Sequence, residues 1–142
     1  MKVIAVIFAV VMTFQFVDKK GSSKQLEKKS ITVVVPNVPS NKGKVSFALY
    51  NKETFRLKPL QGKSSSIKNH QSTVVFENIT PGEYAIICYH DANENGRMDF
   101  EPTGMPMEDY GVSNNPASFG PPQYDTAKFV VADKDVTLEI KF

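Results

Sequence analysis

The 142 residues contain one cysteine, two histidines and no tryptophan. A single thiol cannot form an internal disulfide, so the fold must hold by its core, with or without the help of a metal. Cys88 lies in an apolar run, where a thiol behaves as a small buried hydrophobe rather than a reactive group. The chain also lacks G-x-S-x-G, H-E-x-x-H, C-x-x-C and any glycine-rich phosphate loop. No segment repeats its apolar residues at helical spacing, and no apolar run reaches the roughly 18 residues of a spanning helix. A strong charge of one sign is missing too, since 17 basic residues face 15 acidic ones.

What the chain does have begins with a short apolar run. Val3 to Val17, behind Lys2, is interrupted only by Thr13 and Gln15. This length and flank match an export signal, although no A-x-A cleavage signature follows. An N-terminal strand or an uncleaved anchor is the competing reading. Residues 1–23 are assigned to the signal and the start of a linker, with cleavage between Phe16 and Ser23. Residues 24–30 complete the polar linker, and 31–142 form one domain. The expected location is periplasmic, outer-surface or secreted, with no membrane insertion after cleavage. Loss of residues 1–23 removes Lys2, Lys19, Lys20 and Asp18, which brings the net charge from +2 to zero. No affinity for nucleic acid follows from that balance. The charges are segregated, however. Ten basic residues stand against Glu27 and Glu53 between Lys24 and Lys68, and seven acidic ones against Arg97 between Glu83 and Asp109.

Strand signals dominate the domain. Ile31 to Val35 is β-branched throughout, and Lys44 to Tyr50 alternates with Val45, Phe47 and Leu49 on one face. Thr73 to Phe76, Glu83 to His90, Lys128 to Ala132 and Val136 to Phe142 supply the others, the last with Val136, Leu138, Ile140 and Phe142 facing in. In the turn Asn78 to Gly82, Pro81 presets φ and Gly82 tolerates a positive φ. Residues 51–70 read as an irregular basic crossover. These elements predict an all-β fold, a single antiparallel two-sheet β-sandwich.

One segment carries chemistry. Asp91-Ala92-Asn93-Glu94-Asn95-Gly96-Arg97-Met98-Asp99 follows the opening of a calcium loop, with oxygen donors at alternate positions and glycine at the sharp turn. The ligands would be Asp91, Asn93, Asn95, the Arg97 carbonyl and Asp99, with Glu101 as a further donor. An EF-hand is excluded, because Pro102 stands where its bidentate glutamate belongs and Pro106 discourages a following helix. The same Asp, Asn and Gly residues also build self-supporting Asx turns, so a metal-free loop stands beside the calcium reading. His90 precedes Asp91, but neighbours on a strand point to opposite faces, which favours a hydrogen-bonding histidine over a catalytic one. Tyr110, Phe119 and Tyr124 either line a groove for a sugar or peptide or anchor a long loop. Arg56, Lys58, Lys63 and Lys68 form an anion patch or, as charge runs usually do, a solvated face.

The run PGEYAIICYHDANENGRMDF…GMPMEDYGVSNN…FGPP, from Pro81 to Pro122, resembles a family of small exported bacterial proteins, domain of unknown function 2141. The earlier SNKGKVSFALYN is similar to that family's first hairpin, so the resemblance spans about Ile31 to Phe142. It implies a signal peptide and a small immunoglobulin-like or prealbumin-like sandwich, and it supplies no activity. The matching positions are His90, Asp91, Asn93, Asn95, Gly96, Asp99, Gly104, Pro106, Tyr110, Gly111, Ser113, Asn114 and Asn115, with the SNN loop expected to buttress the acidic loop or help complete it. The expectation is a non-enzymatic binding or structural module of the cell envelope, holding calcium, whose partner is carbohydrate, peptide or another envelope protein. The alternative is a small hydrolase or isomerase site around His90 and residues 113–115.

Overall fold

The computed structural model describes residues 25–142. The expected signal segment lies outside the described residues. Eight strands and one helical turn follow in order: β1 Lys29–Val35, β2 Lys44–Tyr50, β3 Gln61–Ser66, β4 Ser72–Ile79, β5 Gly82–Asp91, β6 Tyr110–Val112, α1 Tyr124–Ala127, β7 Phe129–Val131 and β8 Val136–Glu139. They make two sheets, ordered β4-β1-β8 and β3-β2-β5-β6, with β7 also paired to β5. The fold is nearly all β, and among the described residues no helix is long and apolar enough to cross a membrane.

Strand periodicity places the core. Ile31, Val33 and Val35 of β1 and Val74 and Phe76 of β4 join Val45, Phe47 and Leu49 of β2 and Tyr84, Ile86 and Cys88 of β5 in one apolar cluster. Val136, Leu138, Ile140 and Phe142 all pack on it, as the alternation predicts. β5 is apolar on both faces because both are covered. Its opposite face carries Ala85 and Ile87 beneath Val112, Ala127, Phe55, Tyr110 and Tyr124. The chain crosses between sheets four times, from β1 to β2, β3 to β4, β4 to β5 and β7 to β8.

The structure departs from the sequence reading in four places. First, the sheets are not wholly antiparallel, since β1 and β8 run parallel from Ile31↔Val136 to Val34↔Glu139. Only strands joined by a tight hairpin are forced to be antiparallel, and these two are far apart in sequence. Second, β1 starts inside the expected linker, with Lys29 paired to Ile79 and the Ser30 N–H donating to Asp135 Oδ1 at 2.8 Å. Third, the 51–70 crossover contains β3, whose QGKSSS sequence has no apolar alternation. Six ladder pairs with β2 hold it, and the Ser72 hydroxyl, donating to the Ser66 carbonyl at 3.0 Å, ties its end to the other sheet. Fourth, the positive φ of the 78–82 turn falls on Asn78, at 60°, rather than on Gly82.

Candidate functional site

The acidic loop leaves the end of the central strand. Asp91, the last residue of β5, pairs with Lys44 and is buried. A buried carboxylate needs partners, and the loop folds back to supply them. Asp91 Oδ1 accepts the Asn95 N–H at 3.1 Å and Oδ2 the Gly96 N–H at 2.9 Å. Glu94 and Gly96 take positive φ, at 56° and 77°, which closes the turn. Asn93 Oδ1 accepts the Asn95 N–H at 3.2 Å, and Asn95 Oδ1 the Arg97 N–H at 3.1 Å. The loop is thus a chain of overlapping Asx turns.

Asp99 completes it. Its carboxylate accepts Asn93 Nδ2 at 2.8 Å, and both of its oxygens lie 2.8 Å from Asn95 Nδ2. These amide hydrogen bonds, helped by Arg97, hold the Asp99 carboxyl below its usual pKa. The expected set therefore divides. Asp91, Asn93, Asn95 and Asp99 gather in one loop. Arg97 contributes its N–H and a guanidinium 3.9 Å from Asp99 rather than a demonstrated donor oxygen.

Glu101 does not join them. It begins a small hairpin in which its N–H donates to the Met105 carbonyl and its own carbonyl accepts from Gly104, both at 2.8 Å. Its carboxylate turns to the Thr103 hydroxyl at 3.3 Å. The hairpin returns Glu108 instead, whose Oε2 accepts the Asp99 N–H at 3.2 Å. Sequence spacing could not single out Glu108, because only the Phe100↔Pro106 pairing folds it back. Among the described residues no three His, Cys, Asp or Glu side chains form a metal-holding group, so a cation held by Asp91 and Asp99 would need amide and carbonyl oxygens as well.

The other expected residues have separate duties. His90 is buried, and its Nε2–H donates to the Lys42 carbonyl at 2.7 Å. The Ser113 hydroxyl is also buried, accepting the Ile86 N–H at 3.0 Å and donating to the Ala127 carbonyl. Ile86 and His90 are four residues apart on β5, roughly 13 Å at strand rise, so the two side chains do not share a cleft. Asn114 and Asn115, at φ 69° and 48°, clamp the fold rather than the acidic loop. Asn114 Nδ2 donates to the Lys128 carbonyl at 2.8 Å, while Asn115 bridges the Glu139 carbonyl at 2.9 Å and the Lys141 N–H at 2.8 Å.

The three aromatic candidates are dispersed. Tyr124 packs edge-on against Phe55 at 5.4 Å, Tyr110 donates to the Gly120 carbonyl at 3.4 Å, and Phe119 is fully exposed. A shallow cavity of about 210 Å³ lies beside Tyr110, bounded by Asn115, Pro116, Gly120, Pro122 and Lys141, without Tyr124. The basic residues also separate. Lys63 donates to the Val75 carbonyl at 2.6 Å, while Arg56 and Lys58 sit in the loop beyond Tyr50.

No curated protein and no solved structure shows a match to this sequence. The sequence model of DUF2141, described as an uncharacterized protein conserved in bacteria, matches residues 33–139, and the chain belongs to that family.

Proposed function

We propose that this protein is an exported, non-enzymatic module of immunoglobulin-like or prealbumin-like type whose acidic loop binds calcium. The observation that carries the reading is the convergence of Asp91, Asn93, Asn95 and Asp99 in a loop closed at Gly96. In that arrangement the amide NH₂ groups of Asn93 and Asn95 neutralise Asp99, the part a cation would take over. Hard oxygen donors and a loop with no thiol or imidazole favour calcium over transition metals. The ligands would be Asp91, Asn93, Asn95 and Asp99, with the Arg97 carbonyl. Two central carboxylates among neutral donors suit the weak regime of roughly 10⁻⁴–10⁻³ M that serves extracellular modules. Near-ideal octahedral demand makes magnesium a poor occupant.

The chemistry supplied would be structural, fixing the chain between β5 and the following hairpin. A hydrolase or isomerase centre at His90 is disfavoured by its bond to the Lys42 carbonyl and by its separation from Ser113. The test is a calcium titration of the metal-stripped protein by calorimetry and thermal melting, with magnesium as control and Asp91→Asn/Asp99→Asn as the comparison. A saturable, calcium-selective rise in Tm that the double variant loses is the expected result. No rise into the millimolar range would reduce the loop to turn chemistry.

A further inference from the structure

Two exposed apolar knuckles stand at opposite ends of the β3-β2-β5-β6 sheet, and they carry opposite charge. The first is the hairpin after the acidic loop, where Phe100, Met105 and Met107 are 58%, 62% and 65% exposed. It is a built element, held by the Phe100↔Pro106 pairing and by the Met107 N–H donating to the Asp99 carbonyl at 2.9 Å. Its residues 99–109 include Asp99, Glu101, Glu108 and Asp109 and no basic side chain.

The second knuckle is the loop joining β2 to β3. Leu57 is 78% exposed and Leu60 45% exposed, beside exposed Arg56 and Lys58. This loop too is held in shape. Asn51 and Thr54 bond reciprocally, at 3.2 and 3.0 Å, the Leu57 N–H donates to the Thr54 carbonyl at 2.8 Å, and Phe55 is packed against Tyr50. The exposure of Leu57 is therefore a property of an ordered turn. Residues 51–60 hold Lys52, Arg56 and Lys58 against Glu53 alone.

Their placement follows from the register. β2 begins at Lys44 opposite Asp91, where the acidic loop starts, and ends at Tyr50 opposite Ala85, where the basic loop starts. Seven residues of strand separate them, roughly 20 Å. One molecule thus offers a methionine-rich acidic end and a leucine-bearing basic end, each with the apolar centre and charged rim that an interface uses. Adaptable methionines suit a surface that must close over another molecule's leucines.

We infer that these ends meet between copies of the chain: the Phe100–Met107 hairpin of one molecule docks on the Arg56–Leu60 loop of the next. Charge complementarity selects the second copy as occupant. An anionic membrane would be repelled by the hairpin, and hairpin against hairpin would bring like charges together. Because the two surfaces are different and lie at opposite ends, the contact is head-to-tail and extends into short filaments rather than closing as a two-fold dimer.

Sedimentation velocity on the full-length protein, in EDTA so that calcium plays no part, tests the contact. The weight-average sedimentation coefficient should rise with concentration at low ionic strength and fall back to the monomer value in high salt. Leu57→Ser/Lys58→Glu and Met105→Ser/Met107→Ser should each abolish the rise. Mixing the two variants should restore a dimer that does not elongate, because each retains the end the other has lost. All four substitutions lie at exposed positions, and circular dichroism would verify that the variants are folded. A monomer at every concentration and salt, an association untouched by both variants, or a variant mixture that stays monomeric would each overturn the inference. None of these outcomes depends on the calcium reading.

Discussion

At the scale of single residues, the candidate site turns on what each polar side chain does for the backbone. Asp91, His90 and Ser113 are buried, and each is committed to main-chain groups. A buried polar atom left without a partner costs roughly 1–3 kcal/mol, so these residues are read first as structure. Asp99 differs, because its partners are two side-chain amides that can be exchanged for an ion. Its folded-state pKa is depressed by those amides. A depressed carboxyl favours the folded loop at pH above its ordinary value, and that preference is lost as pH falls through the lowered folded pKa. A carbon-13 NMR titration should therefore show the Asp99 carboxyl protonating below the ordinary carboxylate range. The Asn93→Ala/Asn95→Ala variant should move it back up. An Asp99 that titrates normally in the unmodified protein would mean that the amide contacts do not persist in solution.

At the scale of elements, two strands escaped the pattern, and one of them borders the strand that carries the site. β6 is only Tyr110–Val112, with a glycine at its centre, yet it lines the edge of β5 through Ile87↔Val112, Cys88↔Gly111 and Tyr89↔Tyr110. Gly111 is required by close approach. A Cβ there would meet Ile140 Cγ2 at 2.5 Å and the Lys141 carbonyl oxygen at 2.6 Å. Gly111→Ala should therefore lower the urea midpoint, at a cost of about 1–3 kcal/mol, typical of overpacking against backbone that cannot yield. An unchanged midpoint would mean that the chain end does not pack against β6 as described. β3 lacks an apolar stripe because it is an edge strand of serines and glycine, held by ladder bonds. Neither element carries periodicity, so neither was legible before the partner strands were in place.

At the scale of the whole molecule, the two sheets share one core, and Cys88 lies inside it. Burial pushes its thiol pKa far up, only partly opposed by a backbone hydrogen bond of Gly111. Thiolate formation in the native state is suppressed, so labelling requires the surrounding sheet to open. Alkylation of Cys88 at mildly alkaline pH should proceed only through unfolding, with a rate that rises in urea in step with loss of the β signal by circular dichroism. Rapid labelling in native buffer would contradict the described packing.

The sequence alone was sufficient for the all-β class, the apolar faces of β2 and β8, and the D-x-N-x-N-G-x-x-D loop. Each of these is written in local spacing, whether a period of two or a fixed run of oxygen donors. Tertiary structure alone decided which carboxylate lies beside the loop. Glu101 is nearer to it in sequence, but the hairpin turns Glu101 aside and returns Glu108 to Asp99. Tertiary structure also set β1 and β8 parallel, sent the SNN clamp to residues 126–128 and 139–141, and put the Met-bearing and Leu-bearing knuckles at opposite ends of one sheet. Local chemistry shows which residues can pair, whereas the path of the chain between sheets determines which of them meet.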